Sequence, residues 1–84
     1  MKLEILTPDK TIYESEVTSV TVPGVLGSFE VLKDHAPIIS TLEDGKVIIR
    51  GGGKDEEILF ITGGVVEVLN NKIIVLAEGA DENK

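Results

Sequence analysis

Apolar and polar residues alternate along Lys2–Leu6, the period-two pattern of a strand with one buried face. Thr7-Pro8-Asp9-Lys10 follows as a turn, because Pro8 presets φ and Asp9 can bond its own backbone. From Thr11 to Val22 the chain is rich in Val, Thr, Ile and Tyr, which predicts one half-solvated strand. Val20 and Val22 take one face of it, Ser19 and Thr21 the other, and Pro23-Gly24 ends it. A short strand follows Gly27 over Ser28–Leu32, then a loop over Lys33–Pro37, a strand over Ile38–Leu42 and a hairpin-type turn at Glu43-Asp44-Gly45. Lys46–Arg50, Glu56–Ile61, Val65–Leu69 and Lys72–Ala77 complete the series. They are separated by Gly51–Asp55, by Gly63-Gly64 and by the two-residue turn Asn70-Asn71, whose residues tolerate positive φ. Strands that recur roughly every eight to twelve residues predict an all-β fold, a small sandwich or barrel.

No window carries apolar residues at the three-and-four spacing of a stable helix. No linker or fixed-period repeat divides the chain, so residues 1–78 read as one β domain and 79–84 as an acidic tail expected to fray. A domain of 84 residues buries roughly 60% of its unfolded surface, enough for one modest core. Without cysteine there is no disulfide or thiolate metal site, and packing alone must hold the fold.

Fifteen acidic residues against eight basic give a net charge of −7, with no basic stripe, so a nucleic-acid backbone would be repelled and a cationic protein surface attracted. The longest apolar runs, Ile58–Ile61 and Ile73–Ala77, fall far short of the roughly 20 residues a membrane helix needs. Met1-Lys2-Leu3-Glu4 does not open a signal peptide. The pattern therefore implies a soluble chain that does not insert into lipid.

Candidate chemistry is sparse. His35 is the single histidine, and adjacent Asp34 is poorly placed to share a metal with it. The serines at 15, 19, 28 and 40 carry no local nucleophile signature. Gly51-Gly52-Gly53-Lys54 resembles a phosphate loop only superficially, because Asp55-Glu56-Glu57 follow where a Walker loop needs Ser or Thr and a helix. A flexible hairpin tip is the favoured reading. No catalytic residue, cofactor or metal site is expected. A lipoyl- or biotinyl-type carrier is also small, all-β and acidic, but its modified lysine lies near mid-chain; Asp9-Lys10 is too early, and mid-chain Lys46 follows Gly45.

The stretch from Val22-Pro23-Gly24 through Gly27 and Phe29 to His35-Ala36-Pro37 resembles, at the same spacing, a segment of ATP synthase epsilon subunits. The opening Leu3–Asp9 with Tyr13–Val17, the segment Phe60–Val68 around Gly63-Gly64, and the closing Asn71–Glu78 are each similar to that family in the same order. The likeness spans nearly the whole chain. Departures are Glu30 where Gly is usual, Lys33-Asp34 where Pro-Gly is usual, and Ser15 where Gly is usual. They put local loop shape at issue rather than the fold. Many members continue into a two-helix domain. This sequence ends at Lys84, either as a short member or as a longer chain cut at the domain boundary.

The resemblance implies a small β-sandwich of mostly antiparallel strands that acts as a non-catalytic central-stalk subunit of a proton- or sodium-translocating F-type ATP synthase. Its expected partners are the gamma subunit and the c-subunit ring. Its expected place is the cytoplasmic face of a bacterial inner membrane, as a peripheral protein. A free-standing carrier or binding module is the alternative. By resemblance, Leu26, Gly27, Ser28, His35, Ala36 and Pro37 contact the ring. Glu30 joins them on parity, because it lies two residues from Ser28 and projects to the same side, where it can supply the acid that relatives place at Ser28. For His35 two roles stand, ordering the turn before Pro37 or touching the ring's loops.

Overall fold

The structure, a computed structural model, describes residues 1–53 and 55–81. Eight strands follow one another: β1 Lys2–Leu6, β2 Thr11–Glu16, β3 Ser19–Gly24, β4 Gly27–Leu32, β5 Ile38–Leu42, β6 Gly45–Arg50, β7 Glu57–Leu69 and β8 Lys72–Asp81. β1 and β8 pair in parallel and the other pairings are antiparallel. The pairings make two layers. One runs β2-β1-β8-β7-β5, the other β4-β3-β6-β7-β8, and the long hairpin β7–β8 takes part in both. Inward positions two residues apart fill the space between them: Leu3 and Ile5, Val20 and Val22, Val47 and Ile49, Leu59 and Ile61, Val66 and Val68, Ile73 and Val75. All of these are buried, so the core is built from β-branched residues and leucine that interdigitate from both layers.

Three expectations are corrected. Thr11–Val22 is two strands, not one: Val17 and Thr18 break the ladder, with the Val17 N–H donating to Met1 O at 2.8 Å and the Thr18 N–H to Arg50 O at 2.8 Å. The chain there leaves β1 as its partner and joins β4 and β6. β3 is also not half-solvated, since Ser19 is buried and Thr21 half-buried in a strand flanked on both sides.

Second, Gly63-Gly64 does not separate two strands. β7 runs through it in unbroken register with β8, from Phe60↔Asp81 through Thr62↔Gly79 and Gly64↔Ala77 to Leu69↔Lys72. Its other edge meets β6 before the glycines and β5 after them. Gly63 (φ 60°) and Gly64 (φ 136°) let the strand pass from one layer to the other. A Cβ at Gly64 would run into the Leu76 carbonyl oxygen and stand 2.9 Å from Ala77 Cα. Third, β8 continues beyond Ala77 to Asp81, because the first half of β7 still needs a partner. The rest of the expected tail, 82–84, and Lys54 of the glycine-rich tip lie outside the described residues.

Candidate functional site

Val25 and Leu26 form the two-residue connection between β3 and β4, closed by the Gly24↔Gly27 pair. Leu26 is 101% exposed and Val25 48%. Two apolar side chains at a hairpin tip gain nothing from water. The tip is held firmly from below: the Val25 N–H donates to Thr41 O at 3.1 Å and the Glu43 N–H to Pro23 O at 2.9 Å. Gly24 has to be glycine because a Cβ would stand 2.7 Å from Gly27 O and 3.0 Å from the Phe29 ring that covers it.

β4 is an edge strand, bonded to β3 alone among the described strands. Phe29 and Val31 turn into the core, while Ser28, Glu30 and Leu32 turn outward, so Ser28 and Glu30 share a face. Glu30 is not free there. Its Oε2 lies 3.7 Å from Arg50 Nη1, and Arg50 Nη2 donates to Glu56 Oε1 at 3.0 Å. All three are substantially exposed, which limits each pair to about 0–1 kcal/mol. Arg50 was not singled out in the sequence; the signal available was its outward parity on β6.

His35, Ala36 and Pro37 lie at the other end of β4, in the connection to β5. A strand of this length puts them roughly 17 Å from the hairpin tip. The seven candidate residues therefore lie along one edge of the sandwich rather than in one cluster. The His35 N–H donates to Leu32 O at 3.1 Å, and His35 Nδ1 sits 2.7 Å from Ala36 O. A carbonyl can only accept, so that contact requires the proton on Nδ1. Asp34, which replaces the glycine of the resemblance, takes a left-handed φ of 64° as glycine would. Its N–H donates to Asn71 Oδ1 at 2.6 Å, and Asn71 Nδ2 donates to Asp34 Oδ1 at 2.8 Å. Neither residue was expected to matter to the site.

The outer face of the β2-β1-β8-β7-β5 layer exposes Ile39, Val65, Leu69 and Leu76. Like charges meet there in register, Glu4 opposite Glu14 and Lys2 opposite Lys72. Diagonal ion pairs relieve them, Lys2 Nζ to Glu14 Oε2 at 2.9 Å and Lys72 Nζ to Glu4 Oε1 at 3.1 Å. The hydrogen bond and charge of Lys2 hold the Glu14 carboxyl below its ordinary value, and Glu14 in turn raises Lys2. The contribution of Glu14 is thus present above the ordinary glutamate value and lost as pH falls through the lowered one. That of Lys2 is present below the ordinary lysine value and lost as pH rises through the raised one. In Lys2→Gln, the Glu14 titration midpoint, followed by NMR, should move up toward 4.5; an unmoved midpoint would show that Lys2 is not its partner in solution.

Among the described residues no group of three or more His, Asp or Glu side chains converges as a metal site, and no helix is long and apolar enough to cross a membrane. The hydroxyls of Ser15 and Ser40 donate to the carbonyls of Glu16 and Thr41, at 3.2 and 3.4 Å.

Two layers bridged by a bent long hairpin, with an apolar turn at one corner, place the chain among small β-sandwich domains. Over residues 1–83 it matches the family described as ATP synthase, delta/epsilon chain, β-sandwich domain, and the chain belongs to that family. The ATP synthase epsilon chain of Sulfurimonas denitrificans is 50% identical over 80 residues, covering 95% of this chain and 62% of that protein. The epsilon chain of Chlorobium limicola is 46% identical over 77 residues, covering 92% of this chain and 88% of that protein. The chain thus spans under two thirds of one relative and most of a shorter one. A chain in the central stalk and c-ring structure of Tetrahymena thermophila mitochondrial ATP synthase superposes with a TM-score of 0.83 at 18% identity, covering 98% of this chain and 66% of that one. A second, from the Euglena gracilis mitochondrial enzyme, gives 0.86 at 22% identity, covering 94% and 51%. At those identities the likeness is one of fold.

Proposed function

We propose that this domain is a non-catalytic rotor module of an F-type ATP synthase, which binds the gamma subunit and rests on the c-subunit ring, coupling proton or sodium-ion flow to ATP synthesis. It would act at the cytoplasmic face of a bacterial inner membrane as a peripheral subunit. Beyond family membership, the observation that carries the reading is the β3–β4 tip: a fully exposed Leu26 on a turn bonded into a rigid sandwich. Such a tip suits transmission of torque through a contact, since the layers beneath it are close-packed and yield little under load. The exposed Ile39, Leu69 and Leu76 on the opposite layer also favour a domain that works against partners over a free-standing carrier.

The proposed ring contact runs along the β4 edge, with Leu26, Gly27 and Ser28 at one end, Glu30 midway, and His35, Ala36 and Pro37 at the other. Glu30 supplies an acid toward cationic loops of the ring. Because Arg50 already stands beside it, Glu30→Lys would also create repulsion within the chain, and Glu30→Gln is the cleaner probe. In reconstituted enzyme at low salt, Glu30→Gln should lower coupled ion pumping modestly and Glu30→Lys more, both effects shrinking as salt rises. Unchanged pumping and assembly in both variants at low salt would remove Glu30 from the contact. Failure of the intact chain to copurify with gamma and ring subunits would overturn the assignment as a whole.

A further inference from the structure

We infer that Asp34 and Asn71 form a clasp that fixes the shape of the 33–37 loop, making Asn71 a positioning residue of the proposed interface; the second half of this inference rests on the function proposed above.

The two residues stand 37 apart in sequence yet make a reciprocal pair, Asp34 N–H to Asn71 Oδ1 at 2.6 Å and Asn71 Nδ2 to Asp34 Oδ1 at 2.8 Å. Both have positive φ, 64° and 61°. In a two-residue hairpin turn with left-handed residues at both positions, glycine is the favoured second residue. Asn71 accepts a backbone conformation that glycine would adopt more cheaply, and both atoms of its amide are spent on Asp34. Asp34 accepts the same cost at the other end of the bridge. A local role explains neither choice, because glycine serves either turn better; the bridge explains both. It ties the loop that carries His35, Ala36 and Pro37 to the β7–β8 hairpin, which is anchored by the long ladder of β8 and by the Lys2 N–H donating to Asn71 O at 3.0 Å. Within the loop the His35 N–H closes onto Leu32 O, so holding Asp34 also holds the turn that aims His35.

The chemistry suggests variants that separate the clasp from backbone strain. Asn71→Gly keeps its φ at lower cost and deletes both bonds of the bridge, whereas Asp34→Gly deletes only the one from Asn71 Nδ2, because the residue-34 N–H is backbone and still donates to Asn71 Oδ1. The exchange Asp34→Asn with Asn71→Asp keeps it, because the carboxylate now at position 71 would accept from the residue-34 N–H while the amide now at position 34 donates back. Amide hydrogen exchange on the full chain reads the clasp directly. Asn71→Gly should speed exchange at the residue-34 and His35 amides about tenfold or more and Asp34→Gly less, with the melting temperature unchanged or higher in both, and the exchanged pair should keep slow exchange. Unchanged exchange in Asn71→Gly, or fast exchange in the exchanged pair, overturns the clasp.

Copurification with rotor subunits reads the second half. Asn71→Gly should capture less gamma and ring than the unaltered chain, and the exchanged pair should recover the loss. Faster exchange with undiminished capture would mean that the partners do not use the loop's order, and would overturn the positioning role. If the unaltered chain captures nothing, the function proposed above fails, whereas the exchange rates still judge the clasp.

Discussion

Gly64→Ala should unfold the domain or bring it close to unfolding, a loss of at least about 4 kcal/mol. Two costs combine. At φ 136° an L-residue is strained by about 1–3 kcal/mol, and the new Cβ meets the Leu76 carbonyl oxygen and Ala77 Cα, which are backbone and cannot swing aside. Relief requires β7 and β8 to part where the long hairpin passes between layers. A domain of this size has a total stability of roughly 4–13 kcal/mol, and each kcal/mol shifts the melting temperature by about 4–8 °C. Gly27→Ala is the internal control. Gly27 has a similar φ of 127°, but a Cβ there meets nothing within 4 Å, so it should show the strain alone. Thermal melts in which both variants lose the same amount would mean that the approach of β8 to Gly64 is not tight.

The same substitution at two leucines should have opposite consequences. Leu3 is completely buried on β1, and Leu3→Ala deletes packed methyl groups and leaves a cavity, at about 2–5 kcal/mol. Leu26→Ala, at the exposed tip, should leave stability within about 0.5 kcal/mol. Its effect should appear in assembly instead, as weaker capture of the rotor subunits by an otherwise normal chain. Denaturant melts and copurification of the two variants check both halves. Leu26→Ala that folds and assembles like the unaltered chain would take the tip out of the interface; a Leu3→Ala loss below about 1 kcal/mol would mean the core closes over the gap.

Most strands were legible because their ends are marked by residues with their own conformational demands. Asn70-Asn71 takes positive φ at both positions and joins Leu69 to Lys72, as a two-residue hairpin turn must. Strands β4, β5 and β6 begin and end within a residue of where Gly27, Pro37, Gly45 and Gly51 place them. The outward face shared by Ser28 and Glu30 follows from parity alone. The break at Val17-Thr18 was not legible: residues favouring strands run straight through it, and it exists because Met1 and Arg50 offer new partners. The candidate site was half legible. Its residues could be named from the resemblance and, for Glu30, from parity, but not their spread along an edge, nor the ion pair of Glu30 with Arg50.

By itself the sequence determined the all-β class, the turn chemistry, the inward and outward faces and the family likeness, since these rest on single residues or on neighbours one and two apart. The tertiary structure alone decided where β2 gives way to β3, why Gly63-Gly64 bends a strand instead of ending it, and how far β8 runs. It also decided that Asp34 holds Asn71 across 37 residues of chain. The first three share one reason, and the fourth likewise needs a partner brought in from a distant segment. A glycine pair permits a bend and an asparagine permits a turn, but a ladder continues wherever a second strand supplies partners for its N–H and C=O groups, and that partner is chosen by packing between distant segments.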